Sequence, residues 1–154
     1  MLKLMTLLTA AAVALAMPVF AADPDTNSAK PVLDQLREES RLAKKNATEL
    51  ATMLKSKNAD LAKAAEQVTA VEKSHETIME LMSRLEAEAA QWGGTRKANF
   101  EQARKVADVM SVFVDNKKSI AQDGISPSDR EALRLHATGV AQRAELLEKT
   151  LSKL

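Results

Sequence analysis

The chain of 154 residues contains no cysteine and no tyrosine, and only four glycines, four prolines and 3% aromatic residues. The absence of cysteine excludes disulfides, thiolate zinc sites and cysteine nucleophiles. Four glycines are too few for the turns of a β-sandwich or barrel, and neither a dinucleotide-binding nor a P-loop glycine pattern occurs. The nucleophile elbow of hydrolases and the paired histidines of zinc proteases are also missing. These absences predict a protein that is not an enzyme.

The first 21 residues have the pattern of a secretory signal peptide. Lys3 precedes an apolar run over 4–16, and Pro18 stands just before a small-residue cleavage pattern at 19–21. We expect cleavage after Ala21 and a mature protein that is periplasmic or secreted. Because the apolar run is at the short limit for a membrane span, no stable membrane anchor is expected after cleavage.

Cleavage changes the charge balance of the chain. Lys3 is the one charged residue before Ala22, so the mature chain has 21 basic and 21 acidic residues and a net charge of zero. Nucleic-acid binding depends on neutralising phosphates with a positive protein surface, which a neutral chain does not provide. We therefore expect no nucleic-acid partner.

The mature chain is rich in Ala, Leu, Lys, Glu and Gln, a composition typical of long helices. Residues 22–30 are polar and predict a disordered leader, followed by a single helical domain over 31–154. Between Val32 and Trp92, where neither Gly nor Pro occurs, positions spaced by three and four form a seam in which 15 of 18 residues are apolar. The seam runs through Leu33, Leu36, Ser40, Ala43, Ala47, Leu50, Leu54, Lys57, Leu61, Ala64, Val68, Val71, His75, Ile78, Met82, Leu85, Ala89 and Trp92.

Two shorter helical segments follow. Gly93-Gly94 is expected to end the long helical stretch, with Thr95 as the cap of the next helix. Asp123-Gly124 stops that helix, and the run Ser126-Pro-Ser-Asp129 predicts a capped start for the last one. The seam of the middle segment has Phe100, Ala103, Ala107, Met110, Val114 and Ala121, with Lys117 as its exception, and that of the last has Leu133, Ala137, Val140, Ala144, Leu147, Leu151 and Leu154.

The predicted fold class is all-α, a coiled-coil-like helical bundle with two possible architectures. Residues 31–92 form either one helix about 90 Å long, packed with a shorter helical hairpin, or two helices that turn near Asn58 in an up-down-up-down four-helix bundle. Lys57 on the seam favours a turn, because a buried unpaired ammonium is costly. The unbroken phase and the absence of Gly and Pro favour the continuous helix, and on balance we expect that architecture.

A continuous helix would be longer than the segments that could cover it. Its seam would then need a partner, so we expect a non-enzymatic protein that acts through protein–protein interaction, as an adaptor, a chaperone-like factor or a component of an envelope assembly. The partner would be another protein or a second copy in a homodimer, bound through the exposed heptad seam.

The alternative function is a small metal or haem carrier with a site in the bundle core. His75, Met79 and Met82 share one helical face, and an imidazole with two thioethers is a plausible soft site for copper. The simpler interpretation makes both methionines core residues and His75 a polar residue that sets the register. We favour the simpler one, and predict no metal or other cofactor.

Two further features have structural interpretations. Gly139 lies inside the last helix, where it permits the close approach of a neighbouring helix or marks a small bend. A basic stripe on the first helix is expected to be solvated and ion-paired with Asp34 and Glu38, while a partner-binding or lipid-binding surface is the alternative. Its members are Arg37, Arg41, Lys44 and Lys45.

Overall fold

The computed structural model describes residues 26–121 and 125–154, which form four α-helices and, within those two ranges, no strand. The helices are α1 (Thr26–Met53), α2 (Leu61–Ala89), α3 (Gly94–Ala121) and α4 (Arg130–Leu151). The predicted all-α helical bundle is therefore confirmed. The predicted signal peptide, residues 1–21, lies outside the described residues, and so does Asp123-Gly124.

The four helices pack in a closed ring. Each helix contacts its two neighbours, with α1 against α2 and α4, and α3 against α2 and α4. Ion pairs across the first and last helices join Arg41 to Glu148 and Lys44 to Glu145, so the two helices run antiparallel. With short connections between successive helices, this is the up-down-up-down arrangement.

The expected continuous helix over 31–92 is wrong, because the chain reverses between Met53 and Leu61. Lys57 stands exposed in that turn, so no ammonium has to be buried on the seam. The Asp60 side chain caps α2, accepting a hydrogen bond from the Lys63 backbone N–H at 3.0 Å. The backbone N–H of Asn58 donates to the Ser56 hydroxyl at 3.2 Å. Local side-chain hydrogen bonds therefore make the turn without glycine or proline.

The turn folds the two halves of the seam against each other. Most of the seam residues are buried within the bundle, including those from the first half of the supposed long helix, Leu33, Leu36, Ala43, Ala47, Leu50 and Leu54. The seam therefore presents no long apolar surface to a second molecule. The argument for a partner on the exposed heptad seam depended on the continuous helix and loses its basis.

The helix ends differ from the prediction in detail. The first helix begins at Thr26, so residues 26–30 of the predicted leader belong to α1, with Ala29 buried in the core. Pro31 lies inside the helix near its start, where the lost N–H removes one backbone hydrogen bond. Thr95, predicted as a cap, lies within α3, which begins at Gly94 with a φ of 49°.

The last helix begins at Arg130, three residues later than the predicted start at Pro127, and the side chain of its N-cap residue Asp129 makes no capping hydrogen bond to the helix. The Ser126 hydroxyl donates to the Asp129 carboxylate at 2.5 Å, and the Ser126 backbone N–H donates to it at 3.2 Å. The reach of an acidic side chain back to the N–H three residues earlier resembles half of a capping box, but here it closes the turn before the helix. It fixes the direction in which the chain enters the last helix.

Candidate functional site

His75 lies in the bundle core on α2 and points at α3. Its Nε2 is 3.1 Å from the Ser111 hydroxyl oxygen and 3.5 Å from the Ala107 carbonyl oxygen. The same hydroxyl also donates to the Ala107 carbonyl, at 3.4 Å. An imidazole, a hydroxyl and a backbone carbonyl thus form a short polar chain across the α2–α3 interface.

Burial lowers the pKa of His75 below its ordinary value of 6.5. The Ala107 carbonyl and the carboxylate of Asp115 oppose this effect, while the positive charge of Lys117 adds to it. The imidazole is therefore neutral at neutral pH, with its Nε2 engaged by groups of α3. This is the arrangement of a core histidine whose Nε2 is hydrogen-bonded to a neighbouring helix.

The two methionines proposed as its co-ligands are packing residues in the same core. Met82 is buried in the larger hydrophobic cluster, and Met79 is half-buried against it. Within the described residues no group of three or more His, Asp or Glu side chains could hold a metal ion. The residues proposed for the alternative carrier function all lie on α2, and the Nε2 atom of His75 is already hydrogen-bonded to groups of α3.

Lys117 is the residue of the site whose role the sequence left open. It stands on the core-facing stripe of α3 with 0% of its surface exposed, and its Nζ has no hydrogen-bond partner in the described part of the chain. Burial lowers the pKa of Lys117 to about 8, a shift that Glu72 on α2 partly opposes. The only signal in the sequence was a lysine at an otherwise apolar seam position.

Lys117 coincides with a break in the hydrophobic core. The buried apolar residues form two clusters. In the described part of the chain, the buried members of the smaller one come from α1, the turn after it, α2 and α4: Leu50, Ala51, Leu54, Ala64, Val68, Leu133 and Ala137. On α3, the core stripe passes from Val114 in the larger cluster to Ala121, half-buried against the smaller one. The intervening stripe position is that of Lys117. A lysine therefore stands between the two clusters, on a stripe whose other described positions are apolar.

The helices that contain His75 and Lys117 are also the least closely packed neighbouring pair. Toward the other end of this pair, an open cleft of about 190 Å³ is lined by both helices, including Ala89, Phe100 and Arg104. Arg104 forms an ion pair with Glu86 across the same interface. The α2–α3 interface thus combines buried polar groups with fewer close backbone approaches than the other three interfaces.

A second feature is a set of exposed apolar side chains on α3 and α4. We call it the α3–α4 face and define it by Val109, Val112, Leu135 and Leu146. These are four of the five large hydrophobic residues that are exposed in the described ranges, with Val112 58% and Leu135 56% exposed. Exposed apolar residues that form a contiguous patch are typical of a binding surface.

The side chain of Phe113 on α3 packs against α4. Its ring lies edge-on to His136, with centroids 6.2 Å apart, and the Arg143 guanidinium lies 4.6 Å above it. A Cβ on Gly139 would come within 2.5 Å of this ring, which confirms that Gly139 permits a close approach. This contact joins the two helices on which the four exposed residues stand.

Two residues of the basic stripe on α1, Arg37 and Arg41, form the predicted ion pairs. Arg37 contacts Asp34 at 2.8 Å, and Arg41 contacts Glu38 at 3.5 Å. Additional pairs with Glu148 and Glu145 of α4 were not foreseen, because they require the bundle's helix order. Exposed pairs of this kind contribute little to stability.

Comparisons with protein-family models, curated proteins and solved structures found no match to this chain. No helix in the described ranges is both long enough and apolar enough to span a membrane.

Proposed function

We propose that this protein acts by binding another protein through the α3–α4 face. The observation that supports this is the exposure of Val109, Val112, Leu135 and Leu146 on a bundle whose seam residues cover one another. Exposed aliphatic side chains gain free energy when a partner removes them from water. The face therefore replaces the seam as the expected contact surface.

The form of the face suggests an apolar stripe on a helix as its complement. Two packed antiparallel helices present a shallow groove, and an amphipathic helix binds such a groove through residues spaced by three and four. Mixed charges adjoin the face, with Lys105 and Asp108 on α3 and Glu131 and Lys149 on α4. This balance favours recognition by apolar contact over electrostatic attraction.

The cellular role that we propose is that of a non-enzymatic exported protein, periplasmic or secreted, that serves as an adaptor, a chaperone-like factor or an envelope-assembly component. Export rests on the signal-peptide pattern of residues 1–21. The alternative, a metal or haem carrier around His75, Met79 and Met82, has no specific observation in its favour, because Nε2 of the histidine is turned toward Ser111 and Ala107.

A double substitution tests the proposed face. Val112→Asp with Leu135→Asp places two charges among the exposed aliphatic residues, and Leu42→Asp on α1 is the matched control because Leu42 is similarly exposed. Sedimentation of the mature wild type first shows whether a second copy occupies the face. If it does not, the wild type is used to isolate a partner from the envelope fraction, and affinities are measured with purified components.

We expect the double variant to weaken binding at least tenfold and the Leu42→Asp control to leave it unchanged. Circular dichroism checks that all three proteins are equally helical. Equal affinity of the double variant and the wild type, for a second copy or for a purified partner, would refute the proposed face.

A further inference from the structure

We propose that the cleft between the end of α2 and the start of α3 binds a free amino acid with an apolar side chain, such as phenylalanine or leucine. This inference is independent of the α3–α4 face. It concerns a different helix pair and a ligand of a different class.

The buried residues that line the cleft are apolar. Phe100 is 4% exposed and Ala89 is 2% exposed, and Ala90 lies beside them with more of its surface in solvent. The cleft has a volume of about 190 Å³. An apolar protein cavity of roughly 150 Å³ binds benzene. The cleft therefore has room for one aromatic ring or one branched aliphatic side chain.

The charged residues that line the cleft are two bases and two acids. Arg104 of α3 and Glu86 of α2 form an ion pair with each other. Lys97 and Glu101 are both exposed, and their side chains form no ion pair with any other residue in the described part of the chain. They are four residues apart on α3, so they stand on one side of that helix. The cleft thus has one unpaired cation and one unpaired anion beside an apolar surface.

These groups match a zwitterion better than an ion of one sign. A lone carboxylate is attracted by Lys97 and repelled by Glu101, and a lone ammonium meets the reverse. An amino acid has both charges, so its carboxylate pairs with Lys97 and its ammonium with Glu101, while its side chain contacts Phe100. Binding sites for small molecules commonly combine an apolar surface with a few polar groups that orient the ligand.

The probe is L-phenylalanine, and Trp92 reports its binding. Trp92 is the single tryptophan of the chain, and its ring centroid lies 5.6 Å from that of Phe100 in an edge-on contact. We expect a saturable change of Trp92 fluorescence with a Kd of about 1 mM, the affinity of a small ligand in an open cleft. The analogue 3-phenylpropanoate lacks the ammonium and phenethylamine lacks the carboxylate, so each should bind about tenfold more weakly. Glycine, which lacks the apolar side chain, should not bind.

Variants of the cleft separate this site from non-specific binding. Glu101→Gln should weaken the binding of L-phenylalanine and make 3-phenylpropanoate at least as good a ligand, and Lys97→Gln should do the same for phenethylamine. Ala90→Leu fills the cleft from an exposed position and should abolish binding. Lys105→Gln is the matched control, because it removes an exposed lysine of α3 that does not line the cleft. Circular dichroism checks that all variants are equally helical.

Opposite changes of ligand preference in the two charge variants would support the proposal, since a structural disturbance would weaken all three ligands alike. The proposal is overturned if L-phenylalanine causes no saturable change, or if the two singly charged analogues bind the wild type as tightly as L-phenylalanine does. Equal affinity of Glu101→Gln and Lys105→Gln for L-phenylalanine would also overturn it.

Discussion

Replacement of Lys117 by methionine is expected to stabilise the protein strongly. Methionine keeps the length of the side chain and fits an apolar layer, while the charge that has no partner is removed. The pKa of Lys117 falls from 10.5 to about 8 on folding. A difference of that size corresponds to about 3 kcal/mol of lost stability in the wild type, at about 1.4 kcal/mol per unit. The thermal midpoint of Lys117→Met should rise by roughly 10 °C.

The effect has a defined pH dependence. Between pH 8 and 10.5 the unfolded chain holds a proton on Lys117 that the folded chain has released, so wild-type stability rises with pH across that window. Below pH 8 the full penalty is present. The difference between Lys117→Met and the wild type should therefore be largest at pH 7 and shrink by about 3 kcal/mol toward pH 10.5.

Urea denaturation followed by circular dichroism at pH 7 and pH 10 measures this difference. Lys105→Met is the matched control, because it removes an exposed lysine of α3 and should change stability by less than about 0.5 kcal/mol. The reasoning is refuted if Lys117→Met is no more stable than the wild type at pH 7. A stabilisation that does not depend on pH would equally refute a buried charge as its cause.

Three further substitutions test individual contacts. In the wild type, Gly139→Ala should lower the stability by up to about 2 kcal/mol, because the new methyl group clashes with the Phe113 ring. In a Phe113→Ala background the same substitution should raise the stability by up to about 1 kcal/mol through helix propensity. Urea titrations of the four proteins should show this reversal of sign, and equal effects in both backgrounds would contradict it. His75→Leu should change the stability at pH 7 by less than about 1.5 kcal/mol. The wild type should lose stability as the pH falls below 6.5, because the lowered pKa of His75 leaves the folded chain with fewer bound protons than the unfolded chain, and the variant should not show this loss. An unchanged dependence of stability on acid pH would count against a buried neutral imidazole. Asp60→Ala should cost about 1 kcal/mol in thermal unfolding by removal of the α2 cap, and Asp60→Asn should cost much less; equal losses would argue against the cap.

The helical class and the core positions could be predicted because both follow from local spacing. Leu33, Val68 and Leu147 are buried as their three-four periodicity predicts. The reversal near Asn58 was missed because the hydrophobic phase continues through the turn, so periodicity alone does not distinguish a bent chain from a straight one. Asp60 as a helix cap and Lys57 as a residue that avoids burial were the local signals for it.

The candidate sites could not be predicted, because they depend on tertiary contacts that the sequence alone does not contain. Lys117 was visible as an exception on its seam, but its isolation depends on which side chains α2 brings opposite it. Val112 and Leu135 are ordinary exposed residues in the sequence, and only the packing of α3 against α4 makes a shared surface possible. Their functional meaning comes from tertiary contacts between helices that are distant from each other in the chain.

Site-specific photo-cross-linking in the producing cell tests the proposed binding face most directly. A photoreactive amino acid is placed at Val112, and at Leu42 as the control on α1. The account predicts a discrete cross-linked product from position 112, either with a second copy or with one partner protein, and its loss when Leu135→Asp is added. The same products from both positions, or none from position 112, would contradict the claim that the α3–α4 face is the binding surface.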